Sequence, residues 1–165
     1  MEPDPLAVED APVDIRLEVE VDASPEQVWR LVSQVDRWPG WHVGVRFAAL
    51  RGELVPGTLM QWRADGMRIT SYVQEVEVER RFGFTLKTLG ASGYFRWSLE
   101  PMLDGGTLVR SEEVWDGLGV RFLRRTLRKT LQRSRTSWLE ALRDRVEGAG
   151  EERVEPEGEG RRPDG

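Results

Sequence analysis

The sequence has no cysteine and a single histidine, His42. The absence of cysteine excludes disulfides, thiol nucleophiles and iron–sulfur ligation. With one histidine, the usual zinc sites are excluded as well, because they need clustered Cys and His. A Ser-His-Asp relay is excluded unless His42 is its base. No metal and no cofactor is expected. No apolar run approaches the roughly 18–20 residues that cross a bilayer, and the first residues lack the basic-then-apolar order of a signal peptide. The expected compartment is the cytoplasm. Lysine is scarce too: of 24 basic residues, all but Lys87 and Lys129 are arginine.

What the chain does have is 165 residues, 39% of them hydrophobic, which suffices for one domain with one core. Its seven tryptophans are many for that length. The acidic character sits at the ends. Residues 1–12 hold four acids and no base, residues 147–165 hold seven acids and three bases, and the body between them is slightly basic. Both ends are rich in Pro, Gly and Glu and poor in apolar residues, so 1–12 and 148–165 are expected to be disordered tails around a domain at 13–147.

Within the body, Ile15, Leu17, Val19 and Val21 alternate with charged residues, the period of a strand with one wet face. Ser24-Pro25-Glu26-Gln27 follows. Ser24 suits an N-cap, Pro25 the first helical position, and Gln27 completes a capping box. Val28, Leu31, Val32 and Val35 then recur at helical spacing until Trp38-Pro39-Gly40-Trp41, where Pro39 forbids simple continuation and a second short helical turn fits. Six strands joined by tight turns are read at 43–50, 58–63, 67–78, 81–89, 93–101 and 107–115. Turns this short require antiparallel neighbours.

From Leu118 to about Val146 the period becomes helical, a span of some 40 Å. A helical wheel gathers Leu123, Leu127, Thr130, Ser134, Trp138 and Ala141 on one side, flanked by Phe122, Thr126, Leu131 and Leu142. Arg121, Arg125, Arg128, Lys129 and Gln132 lie opposite. Residues 121–135 contain seven bases and no acid.

The order strand, broken helix, six strands, long helix resembles the helix-grip fold of the SRPBCC superfamily, which includes START-type carriers, pollen allergens and bacterial polyketide cyclases. The strings VDASPEQVWRLVSQVDRWPGWH, VPGTLMQWR, RITSYVQEVEVERRFGF and FRWSLEPMLDGGTLVRSEEVW carry the likeness. It covers residues 13–147 and is strongest to bacterial polyketide cyclase/dehydrase-like members. The resemblance implies an α+β fold. A curved antiparallel sheet of about seven strands would wrap around a long C-terminal helix, with two short helices after the first strand.

Such a grip can enclose an apolar pocket. Strand alternation and the helix wheel nominate Trp41, Met60, Trp62, Ile69, Ser71, Phe84, Phe95, Trp97, Val109, Ser111, Glu113, Leu123, Leu127 and Thr130 as its lining. The family register turns Val109, Ser111, Glu113 and Trp115 inward on the last strand; the competing register would choose Leu108, Arg110, Glu112 and Val114. Glu113, Ser71 and His42 are the candidates for chemistry. A carboxylate on an apolar face has its charged form disfavoured, which suits acid–base work, unless it is paired. Arg63 and Arg68 point outward by alternation. Gly117-Leu118-Gly119 lacks the Gly-Lys-Ser/Thr of a phosphate loop. Glu112 and Glu113 are adjacent on a strand and cannot form a dyad.

Three functions follow as expectations. The first is binding of a small hydrophobic or aromatic, polyketide- or lipid-like molecule between sheet and helix. The second is a cyclase, aromatase or dehydratase acting in the same place. The third is a lipid carrier that meets anionic membrane through Arg121, Arg125 and Arg128. The basic run alone does not imply nucleic acid, because the sheet offers no exposed aromatic platform.

Overall fold

The computed structural model describes residues 3–151. Seven strands form one antiparallel sheet in the order β1-β7-β6-β5-β4-β3-β2. They are β1 (Val13–Val21), β2 (Val45–Leu50), β3 (Leu59–Ala64), β4 (Met67–Glu77), β5 (Arg81–Thr88), β6 (Ala91–Pro101) and β7 (Thr107–Asp116). Helix α1 (Pro25–Ser33) and a 3-10 turn at Val35–Gly40 carry the chain from β1, at one edge, to β2, at the other. Helix α2 (Leu118–Glu151) lies in the concave face, packed chiefly along β1.

Local chemistry explains most boundaries. The Ser24 hydroxyl accepts from the Gln27 amide while the Gln27 side chain accepts from the Ser24 amide, the capping box expected of that sequence. Trp38, fully buried, donates through its indole N–H to the Val32 carbonyl at 3.1 Å, which staples the 3-10 turn back onto α1. Gly117 holds φ 140°, and a Cβ there would sit 2.4 Å from the Gly90 carbonyl oxygen. The β7–α2 junction can therefore pass directly over the β5–β6 turn only because the residue is glycine.

The last strand adopts the family register. Val109, Ser111, Glu113 and Trp115 are buried on the concave side, whereas Val114 packs on the opposite face with Tyr94 and Leu6. Arg63 and Arg68 are exposed.

The helix wheel needs correction. Thr130, expected inward, is exposed, and so are Leu123 and Phe122. The buried stripe is instead Val120, Leu131, Arg135, Trp138, Leu139, Leu142 and Val146. The helix departs from regular geometry at Leu123, with φ −106° and ψ 15°, yet Val120 and Trp138, five turns apart, still share the buried side. The observed stripe is centred most of one residue's step of about 100° away from the expected arc, on the side of Leu131, Arg135 and Leu139, because an arginine of the basic run belongs to it.

The expectation that residues 1–12 have nothing to bury fails for Leu6, which is 3% exposed against Tyr94 and Val114. Asp4 reinforces it by pairing with Arg96, which Glu75 also holds. The Arg96 hydrogen bonds and the Leu6 amide keep the Asp4 carboxyl below its usual range. Burial, with the Glu75 carboxylate beside it, pushes the Tyr94 hydroxyl up. At the other end, α2 continues to Glu151, past the expected boundary at 147. Positions 152–165 of the expected tail, and 1–2 of the first, lie outside the described residues.

Candidate ligand-binding site

The two ends of the grip are built differently. At one end, Trp138 of α2 is ringed by aromatic side chains. Its ring lies 5.3 Å from both Trp38 and Trp41, each nearly perpendicular, and stacks on His42 at 4.3 Å with planes 17° apart. Trp62 and Trp97 complete the shell, each 6.2 Å away. This edge-to-face arrangement suits the ring quadrupoles and leaves the rings close-packed. His42 accepts from the Gly44 amide at Nδ1, so its proton resides on Nε2. Burial holds its pKa below the ordinary value, with Arg135 adding to that effect and Asp65 opposing it. The N–H groups of Trp41, Trp138 and His42 Nε2 meet no acceptor among the described residues.

Midway along the helix, Arg135 enters the core. Its guanidinium, 5% exposed, engages both oxygens of Glu113, which is fully buried. Trp115 donates to Glu113 Oε1 at 2.6 Å, and the guanidinium stands 4.6 Å from the Phe95 ring centre. Hydrogen bonds and aromatic rings thus surround the pair, the condition under which a buried ion pair is tolerated. Arg135 was not among the sequence candidates, because the seven-base run reads as a solvated face. The usable signal was Glu113 itself: a carboxylate on an inward face needs a cation within reach, and α2 is the arginine-rich element opposite.

At the other end the grip is open. A cavity of about 210 Å³ lies between the start of α2 and the β5–β6 turn. Met67, Ala91 and Trp115 of the sheet line it, with Val120, Leu123, Leu127 and Leu131 of α2 and Thr88, Leu89, Gly90 and Gly119 at its rim. Among the described residues, Thr88 supplies the only polar side-chain group that is free to face it, since the Trp115 N–H is spent on Glu113. No titratable side chain among the described residues lines it.

The nominated residues divide accordingly. Met60, Trp62, Ile69, Ser71, Phe84, Phe95, Trp97, Val109, Ser111 and Glu113 all face inward, each 3% exposed or less, within the packed core. Trp41 is half-buried in the aromatic shell. Leu123 and Leu127 line the cavity; Thr130 does not. Met67, Ala91, Trp115, Val120 and Leu131 were missing from that set. Among the three residues nominated for chemistry, Glu113 is held by Arg135, Ser71 accepts from the Trp62 indole at 3.0 Å, and His42 is stacked on Trp138. No hydrogen bond joins any two of them among the described residues. Nor do the described residues bring together three or more His, Cys, Asp or Glu side chains in a group that could hold a metal ion.

No protein of curated function matches the sequence. Solved structures share its fold at low identity. A hypothetical protein, jhp0584, from Helicobacter pylori superposes with a TM-score of 0.76 at 12% identity, covering 88% of this chain and 95% of its own. A START superfamily protein from Mycobacterium smegmatis gives 0.71 at 18%, covering 82% and 98%. The di-domain ARO/CYC StfQ of the steffimycin biosynthetic pathway gives 0.66 at 19%, covering 84% of this chain and 46% of that one. Residues 12–147 match the family model described as polyketide cyclase / dehydrase and lipid transport. With the seven-stranded grip and its long closing helix, this chain belongs to that family, within the SRPBCC superfamily.

Proposed function

We propose that the protein binds a small apolar molecule in the cavity at the open end of the grip, and that it carries or presents this molecule without transforming it. The observation that supports this reading is the lining: about 210 Å³ walled by Met, Leu, Val, Ala and Trp, with one threonine hydroxyl at the rim. An apolar cavity of about 150 Å³ already takes a benzene ring. Drug-sized ligands usually occupy about 300 Å³ or more. The space therefore suits one or two fused rings, or the end of an acyl chain whose remainder extends through the mouth.

The cyclase or dehydratase reading draws on the family's description and on the likeness to StfQ, an ARO/CYC protein. Acid–base catalysis needs a titratable group within hydrogen-bond reach of the substrate, and this cavity offers none. Glu113, which accepts from the indole of the lining residue Trp115, is already bound to Arg135.

Calorimetric titration with flat polycyclic phenols and medium-chain fatty acids tests the proposal. Saturable one-to-one binding is expected for the native protein. In Leu127→Trp, which fills the cavity from a half-buried position, affinity should fall by about tenfold or more while the denaturation midpoint holds. Equal affinity in the two proteins, or no binding to any apolar compound, would overturn it.

A further inference from the structure

The mouth of the cavity has an unusual rim. Leu118 and Phe122, on the first turn of α2, are 78% and 87% exposed, and Leu89 on the facing β5–β6 turn is fully exposed. None of the three is needed to close the core. Stepping from Leu118 by three or four residues along the same outer face leads to Phe122, then Arg125, then Lys129. An apolar tip is thus followed, about 5 and 10 Å further along the axis, by cations.

Arg124, Arg125, Arg128 and Lys129 are exposed, and none has a carboxylate at ion-pair distance among the described residues. Arg121 differs, since Asp116 holds it at 3.1 Å. The cations to consider are therefore those beyond the first turn.

We infer that this rim docks on an anionic phospholipid bilayer, with Leu89, Leu118 and Phe122 entering the acyl boundary and Arg125, Arg128 and Lys129 meeting the headgroups. The depth matches: interfacial elements sink about 5–10 Å, which buries the tip and leaves the cations at headgroup level. Two weak signals are combined here, an apolar insertion too small to hold alone and a basic band attracted to such a surface. A nucleic acid would use the band but gives no reason for bare leucine and phenylalanine beside it. Docking in this pose points the apolar cavity at the bilayer, so an apolar ligand could pass between them without crossing water. That last point rests on the proposed function; the docking geometry does not.

The test exploits the absence of cysteine in the full chain. Phe122→Cys, labelled with an environment-sensitive fluorophore, should shift to the blue with phosphatidylcholine vesicles containing phosphatidylglycerol, and little with phosphatidylcholine alone. The same label at Glu20→Cys, on the exposed face of the edge strand β1, should not respond. In co-sedimentation, Leu118→Ser with Phe122→Ser, and separately Arg125→Glu with Lys129→Glu, should each weaken binding to the anionic vesicles by about tenfold or more. Salt should weaken the native interaction.

All four positions are exposed and none lines the cavity. Calorimetric ligand binding without vesicles therefore reports on the proposed function separately. The inference is overturned if the native protein ignores anionic vesicles or if the label at position 122 stays unchanged while vesicles are bound. It is also overturned if duplex DNA is bound and the vesicles are not.

Discussion

The two halves of α2 carry out different tasks with the same secondary structure. From Leu131 onward the helix supplies Arg135, Trp138, Leu139, Leu142 and Val146 to the core, and its far end is tied to β1 where Glu147 accepts from the Asp22 amide. Ahead of Leu131, only Val120 is buried and Leu127 half-buried. The break at Leu123 falls within this second, loosely held half. Stability is thus concentrated at the aromatic end of the grip, while the open end keeps its apolar surface free. Local stability in proteins varies in this way, and ligand-handling elements are drawn from the weaker parts.

The sharpest way to break the comparison is truncation at the centre of the aromatic end. Trp138→Ala should cost about 3–5 kcal/mol in chemical denaturation, because its ring sits among Trp38, Trp41, His42, Trp62 and Trp97 and leaves a void that they cannot fill. Phe95→Ala and Trp97→Ala should approach the same penalty, since both are 1% exposed within the core.

Arg135→Met should follow closely, at about 3 kcal/mol, by leaving Glu113 buried without its cation. Adding Glu113→Leu should recover most of that loss. A double variant no better than the single would mean that packing around the arginine stem matters more than the charge.

His42 gives a smaller, pH-dependent effect. Its folded-state pKa is lowered by burial, so as pH falls below about 6.5 the unfolded chain takes up the proton first. Stability should therefore decline from about pH 7 towards pH 5, above the range in which ordinary carboxylates protonate. His42→Gln should flatten that slope. A slope that survives the substitution would assign it to other groups.

The smallest effect belongs to the open end. Leu123→Ala should change stability by about 0.5 kcal/mol or less, the usual range for exposed positions. A loss like that of Trp138→Ala would erase the distinction between the halves.

Much of this architecture could be read from local chemistry. The alternation in β1, the Ser24 capping box and the Gly- and Pro-bearing turns each specify their own geometry, and the observed boundaries fall within about two residues of those expected, except that α2 runs on to Glu151. What failed did so where the deciding partner is remote in sequence. Arg135 looks solvated until Glu113, 22 residues earlier on β7, is placed opposite it. Leu6 looks like part of a tail until β6 and β7 present Tyr94 and Val114. The wheel put Trp138 inward but was centred on Leu123, Thr130 and Ser134 instead of Leu131, Arg135 and Leu139, because a buried arginine within a basic run has no local signature. The cavity lies further along the grip than most of the nominated lining for a related reason. Alternation identifies which side chains face inward, but not whether those rings fill the space; that depends on Trp138 arriving among them from another element.

The strand order carries a kinetic consequence. β1 is made first and pairs only with β7, made last, in a ladder running from Val13 opposite Trp115 to Val21 opposite Thr107. At ribosomal rates of about 5–20 residues per second, the nascent β1 waits on the order of 5–20 s before its partner exists. During that interval it is a lone extended segment with Ile15, Leu17 and Val19 uncovered. The alternating Arg16, Glu18 and Glu20 then act as gatekeepers, putting a charge at every second position of a segment that would otherwise pair with another copy of itself. Their neutralisation should therefore show first as aggregation during synthesis or refolding, with little change in the stability of molecules that have already closed the sheet.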